Sequence, residues 1–225
     1  KKTYFFAFII EIIHIATLIH DDIIDNSNIR RGIFSVKALW KNKIAVLTGD
    51  YLISNILLLA TKNNYYDLIN IICKTILKMS EGEFLQIEKS RILNINENIY
   101  FKIIYYKTAL LMGICGEGSV YSINGNQKNI INMKKFCEFI GIAFQIKDDL
   151  MDFEFNNLDK PTHMDLKEKK ITLPLIHTLN IIPNKEKKYL LKLIKNFKYN
   201  NIYKIYNIVN DYGGITYAKN KMIFF

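Results

Sequence analysis

Residues 21–25, Asp21-Asp22-Ile23-Ile24-Asp25, and residues 148–152, Asp148-Asp149-Leu150-Met151-Asp152, repeat one pattern: an aspartate pair followed after two apolar residues by a third aspartate. Each motif ends a strongly apolar run, Ala16-Thr17-Leu18-Ile19-His20 before the first and Ala143-Phe144-Gln145-Ile146-Lys147 before the second. Unpaired carboxylates in such surroundings are costly to desolvate, so something cationic must face them. On a helix the first and last Asp of each motif are four apart and share a face. Two such faces turned toward each other make a cage of hard oxygen ligands, which suits Mg²⁺ holding a polyphosphate.

The sequence around the motifs predicts helices. The three prolines fall at 161, 174 and 183, and apolar residues recur at helical spacing through the 160 residues before them. Helices are expected over 3–25, 36–61, 66–90, 97–123 and 133–153, with shorter ones after Pro174. In the helix leading to the second motif, Phe136, Phe139, Ile140, Ala143, Phe144, Ile146 and Leu150 trace a wide apolar stripe and predict burial. Breaks are expected where turn chemistry is dense: Asn26-Ser27-Asn28 through Gly32, Asn63-Asn64, 94–96, Asn124-Gly125-Asn126, and 156–170. The architecture expected is all-α, an antiparallel helical bundle around a central cavity. Residues 1–225 read as a single domain, cut at both ends from a longer chain.

Composition narrows the function classes. Half of the 225 residues are hydrophobic, which excludes a disordered chain. The net charge of +10 points to anionic partners, although the joint abundance of Lys, Asn, Ile and Tyr also fits drift in an AT-rich coding sequence. No Lys/Arg block with interleaved aromatics reads as a nucleic-acid groove, so no nucleic-acid partner is expected. Cys73, Cys115 and Cys137 are widely spaced with no CxxC, which predicts buried cytosolic thiols and a cytoplasmic protein. The apolar run from Lys1-Lys2 to Ile19 is interrupted by Glu11 and His14, which argues against a targeting segment.

Around the motifs lie candidate phosphate and catalytic groups. Arg30-Arg31-Gly32 follows the first motif after a short turn, and Arg binds phosphate bidentately without losing its charge. An exposed acidic helix end with Arg counter-ions fits the first motif equally well when it is taken alone. Gln145 lies three residues before Asp148, where its amide reaches a substrate or a metal-bound water. The polar stretch after the second motif carries Lys160 and Lys170, and Lys107-Thr108 sits in apolar company except for its tyrosines. Glu11-Ile12-Ile13-His14 is half of a di-iron signature with no second half in the chain. His20-Asp21 matches a metal-dependent phosphohydrolase pair but leaves the second motif unexplained. His163 and His177 read as loop and core residues.

With these residues assembled, the chain resembles the trans-prenyltransferases, the polyprenyl diphosphate synthases. Leu18-Ile19-His20-Asp21-Asp22-Ile23-Ile24-Asp25 through Arg30-Arg31-Gly32 resembles the family's first Asp-rich motif. Ala45-Val46-Leu47-Thr48-Gly49-Asp50, Ser80-Glu81-Gly82-Glu83-Phe84-Leu85-Gln86, Lys107-Thr108-Ala109, Gln145-Ile146-Lys147-Asp148-Asp149 and Thr172-Leu173-Pro174-Leu175-Ile176 match the later elements in order. The resemblance implies the isoprenoid synthase fold, usually a homodimer, and about three Mg²⁺ per active site. It implies that Asp21, Asp25 and Asp148 ligate the metals, with Asp22, Asp149 and Asp152 assisting. Arg30, Lys107, Lys160 and Lys170 would hold the allylic diphosphate and Arg31 isopentenyl diphosphate. Thr108 and Gln145, with Lys107, would serve the developing carbocation. The implied reaction is condensation of an allylic diphosphate with successive isopentenyl units into an all-trans polyprenyl diphosphate, with at most peripheral membrane contact for product release. Family glycines near the second motif are replaced by Asp159, His163 and Lys169, and the family's upstream Gly-Lys-Arg segment is not in the chain.

Ala16 and Thr17, with Ile13 one turn deeper, would form the wall that limits product length. Short-chain members commonly carry an aromatic plug there, so small residues imply a product longer than farnesyl, of octaprenyl-like length. Two alternatives stay open on sequence. One is a non-catalytic or impaired synthase subunit; the other is a class I terpene cyclase, against which the complete second motif argues.

Overall fold

The computed structural model describes residues 2–153 and 164–225, so Asp159, Lys160 and His163 lie outside the described residues. Among the described residues the only strands are β1 (Ile29–Arg30) and β2 (Ile33–Phe34), and helices make up nearly everything else. The long helices are α1 (Lys2–Ile24), α2 (Val36–Lys62), α3 (Tyr66–Ile92) and α6 (Gln127–Met151). Helices α4 (Glu97–Ile104) and α5 (Leu110–Ser122) are joined by a π turn, Tyr105–Ala109. After the second motif come α7 (Met164–Lys167), α8 (Leu173–Ile181), α9 (Asn184–Lys195), α10 (Ile202–Asp211) and α11 (Gly214–Phe224).

The chain forms two compact units, one of residues 1–76 with 117–130 and the other of residues 77–116 with 131–225. In the first, α1 packs along α2, burying Ile9, Ile13, Ala16, Ala45, Ile56 and Ala60. Both helices are long and apolar enough to cross a membrane by length and composition, and α1 carries Asp21 and Asp22 in its last turn. The second unit has a continuous core in which Ile142, Ile146 and Leu150 of α6 meet Tyr100 and Ile104 of α4, Leu175 and Ile176 of α8, and Leu190, Ile194, Ile205 and Val209 beyond.

The asparagine-rich breaks have a backbone explanation. Asn26, Asn64 and Asn124 adopt φ of 52, 57 and 58° just past α1, α2 and α5. In each case the next residue's N–H reaches back five positions, Ser27 to Asp22 O, Tyr65 to Ala60 O and Gly125 to Val120 O. Asn tolerates this left-handed cap, which satisfies carbonyls the helix leaves unpaired. The α6 helix starts at Gln127, six residues before the expected 133, because Asn126 Oδ1 accepts the Asn129 N–H and caps it.

Two expectations are corrected. On α6, Phe136, Phe139, Ile140 and Phe144 are exposed rather than buried, because the core of the second unit covers only the flank carrying Ile142, Ile146 and Leu150. The three cysteines are free thiols, but Cys73 and Cys115 are exposed and Cys137 half-buried, since they lie outside the packed faces of α3, α5 and α6.

Candidate functional site

In the first unit, the last turn of α1 separates the three aspartates by environment. Asp22 points inward and is 4% exposed, while Asp21 and Asp25, one turn apart, are half-buried. Arg30 closes on Asp22, its Nε donating to Oδ1 at 2.9 Å and its Nη2 lying 2.9 Å from the same oxygen as an ion pair. This pair spans eight residues, beyond any helical spacing, and the hairpin makes it. Arg30 pairs with Ile33 across β1 and β2, and the turn residues Arg31 and Gly32 have φ of 52 and 79°, both positive as a type I′ turn requires. Arg31 is thereby set at an exposed tip while Arg30 turns back to the motif. Below the motif, Ile13 and Ala16 are fully buried and Thr17 is half-buried, with its hydroxyl donating to His14 O. The His20 ring lies against Gly49, where a Cβ would stand 2.2 Å from Nε2, so the Gly49-Asp50 pair admits the ring.

In the second unit, a polar chain links α4, the π turn and α6. Tyr100 Oη donates to Asp149 Oδ2 at 2.7 Å, Gln145 Nε2 donates to Asp149 Oδ1 at 3.0 Å, and Thr108 Oγ1 donates to Gln145 Oε1 at 2.8 Å. Gln145 thus serves Asp149 one turn on, rather than Asp148. Asp149 is buried, Asp152 half-buried and Asp148 exposed, so the middle aspartate is again the one turned inward. Burial pushes the Asp149 carboxyl up to about 7 against the hydrogen bonds from Gln145 and Tyr100, which favour its charged form. Burial, followed by the Asp149 charge, pushes the Tyr100 hydroxyl well up, so Tyr100 remains a proton-bearing donor. Asp165 also sits in this field, its carboxyl raised by burial and by Asp149 and Asp152, with the charge of Lys170 opposing. Lys170 pairs with Glu168 at 2.6 Å.

Lys107 lies in the π turn and pairs with Glu83 of α3, and Tyr105, two residues earlier, donates to Glu138 at 2.9 Å. A π turn inserts one extra residue into a helix and re-aims the side chains beyond it, a device frequent at functional sites. Here it turns Lys107 to α3 and Thr108 to α6. The sequence reading missed Tyr100, and it named Glu83 only within a motif, with no role for it or for Asp165. For Tyr100 the signal was present: a tyrosine on the apolar face of a buried helix needs a partner for its hydroxyl. His177 stacks on Tyr217 with ring centroids 4.0 Å apart, in keeping with a core residue.

The donors suit Mg²⁺ in kind, since Asp21, Asp25, Asp148 and Asp152 offer hard oxygens as pairs one helical turn apart. No three His, Cys, Asp or Glu side chains among the described residues converge into a ready-made cage.

The polyprenyl synthetase family profile matches residues 1–211. A heptaprenyl diphosphate synthase component 2 of Bacillus subtilis is 36% identical over 197 residues, covering 86% of this chain and 56% of the relative. The chain therefore spans little more than half the length of that curated relative. A decaprenyl diphosphate synthase from Rhodobacter capsulatus superposes with a TM-score of 0.90 at 29% identity, over 97% of this chain and 69% of that one. A Caulobacter crescentus polyprenyl synthase, solved with calcium and isoprenyl diphosphate, gives 0.88 at 27% identity, over 97% and 68%. Two aspartate motifs on matching helix ends, a fold shared along nearly the whole chain and a profile match through residue 211 all say the same thing: the chain belongs to the polyprenyl synthetase family.

Proposed function

We propose that the protein carrying this chain condenses an allylic prenyl diphosphate with successive isopentenyl diphosphate units, giving an all-trans polyprenyl diphosphate longer than farnesyl. The observation that carries this reading is the division within each motif. The middle aspartates Asp22 and Asp149 are buried on protein donors, while Asp21 with Asp25, and Asp148 with Asp152, remain more exposed as carboxylate pairs one turn apart. Carboxylate pairs one helical turn apart suit cations shared with a diphosphate.

In this reading Asp21, Asp25, Asp148 and Asp152 hold Mg²⁺, about three ions per site. Bound Mg²⁺ supplies neutralisation of the charge that develops on the departing diphosphate. Arg30, Lys107 and Lys170 add fixed positive charge for the same group, with Lys160 assigned there on sequence alone. The allylic C–O bond breaks, its electron pair leaves with the diphosphate, and the Thr108 hydroxyl and Gln145 amide oxygen face the resulting cation. The double bond of isopentenyl diphosphate, held by Arg31, attacks the cation, and loss of a proton restores an alkene. Thr17, half-buried one turn before the first motif, is small enough to leave room for a chain to grow, whereas Ala16 and Ile13 are fully buried in the packing of α1. The exposed apolar face of α6, with Phe136, Phe139, Ile140 and Phe144, supports assembly as a homodimer. A cytoplasmic site of action, with peripheral membrane contact at product release, completes the reading.

The test is incubation with Mg²⁺, farnesyl diphosphate and labelled isopentenyl diphosphate, followed by chromatography of the product. Elongated product is expected, and its absence sinks the synthase reading. Asp21→Ala is expected to lower turnover by about 10²-fold or more, and full turnover in that variant refutes the metal assignment.

A further inference from the structure

The two motifs differ in what holds their middle aspartate. Asp22 meets a guanidinium, whereas among the described residues the hydrogen bonds to Asp149 come from the neutral Tyr100 and Gln145, and these lead directly to the two residues set to face the reacting cation. Both Asp149 oxygens are engaged by protein, Oδ2 by the Tyr100 hydroxyl and Oδ1 by the Gln145 amide, on a carboxylate that is 4% exposed.

In its ionised form Asp149 accepts and cannot donate, so only the NH₂ end of Gln145 can then face it. The amide orientation is thereby fixed, with Oε1 on the side of Thr108, whose hydroxyl donates to it. Reversing the amide would place Oε1 against a carboxylate oxygen. A neutral amide at position 149 would remove that bias, because Asn both donates and accepts.

We propose that Tyr100 and Asp149 are positioning residues that fix the orientation of the Gln145 amide, and that Asp149 does this instead of ligating metal. Tyr100 anchors Asp149, Asp149 orders Gln145, and Gln145 presents its oxygen beside Thr108. The inference deepens the synthase reading and rests on it only for the purpose of that oxygen, not for the hydrogen-bond chain itself. Tyr100, Asp149 and Gln145 lie on the second unit alone, so the arrangement is complete within it.

Tyr100→Phe removes one hydroxyl and keeps the ring, and Asp149→Asn keeps the shape and removes the charge. Three readouts separate the possibilities. In the wild type at about pH 8, where Asp149 is ionised, the Gln145 side-chain NH₂ should give an NMR proton signal shifted downfield by its bond to a carboxylate. That shift should collapse in Asp149→Asn and weaken in Tyr100→Phe. Mn²⁺ binding followed by electron paramagnetic resonance should be unchanged in both variants. The kcat for elongation should fall about 10-fold in each while KM for both diphosphates stays within twofold. A wild-type Gln145 signal without the shift, a Tyr100→Phe enzyme with wild-type kcat, or weakened Mn²⁺ binding in Asp149→Asn overturns the proposal. A wild-type protein with the shifted signal but no elongation supports the hydrogen-bond chain and strikes at the synthase reading alone.

Discussion

At Lys41 a single residue carries a conformation that its side chain opposes. Its φ of 68° and ψ of 167° interrupt α2 in a backbone region that is essentially reserved for glycine. Holding a non-glycine residue there costs about 1–3 kcal/mol. Replacing it with glycine also adds freedom to the unfolded chain, which costs about 0.5–1 kcal/mol. The first effect is larger, and Lys41 is exposed, so little packing is lost. Lys41→Gly is expected to stabilise the protein by about 1 kcal/mol, seen as a melting-temperature rise of about 2–4 °C. An unchanged or lower midpoint would show that the kink carries no strain. Lys169 has φ of 60° and closes α7 with the Lys170 N–H reaching Asp165 O at 2.8 Å. The resemblance to the polyprenyl diphosphate synthases implied a glycine at that position. The missing signal at Lys41 was its backbone angle, which no composition rule reports.

Among the helices, the extents were largely readable and the joints were not. Apolar periodicity and the Asn-rich breaks placed α1, α2 and α3 to within one or two residues at each end. The hairpin was read only as a turn, because two residues per strand leave no alternating pattern to detect. The π turn escaped for a similar reason: one inserted residue does not disturb the spacing of apolar positions over a segment as long as 97–122. Yet that turn brings Thr108 to Gln145, and it depends on a close approach at Gly141. A Cβ on Gly141 would lie 2.5 Å from Ala109 Cα, a backbone atom that cannot swing aside. Alanine in a helix interior normally gains about 1 kcal/mol over glycine. Overpacking of this kind costs about 1–3 kcal/mol and should win. Gly141→Ala is therefore expected to lower stability by about 1 kcal/mol in urea melts. It should also weaken the Thr108 hydrogen bond to Gln145, which lies one turn along the same helix. A variant more stable than wild type would mean that α6 and the π turn separate at no cost.

For the molecule as a whole, the net charge of +10 and the buried carboxylates act in opposite directions on acid stability. Lowering pH protonates surface carboxylates and adds to the positive excess, which favours expansion. Asp149 works the other way. Its carboxyl is raised from 3.8 to about 7 by burial, so between those values the folded protein keeps a proton that the unfolded chain has released. Stability from this group therefore falls as pH rises through that window and is level above it. Asp165, raised by burial and by Asp149, contributes in the same direction. Gln145, Tyr100, Asp148 and Lys170 are the other groups acting on Asp149, and the first two donate to it. The sequence announced these carboxylates as a motif but gave no sign that the middle one would be the buried one, since that depends on Tyr100, 49 residues upstream, reaching it across the core. The two opposing effects separate in the difference between wild type and Asp149→Asn, because surface protonation is common to both. In urea titrations with chelator present, the variant's stability relative to wild type should rise between pH 4 and 7 and then stay constant. A difference that does not change with pH would mean that Asp149 is ionised throughout the range, and that its buried charge is compensated by the donors around it.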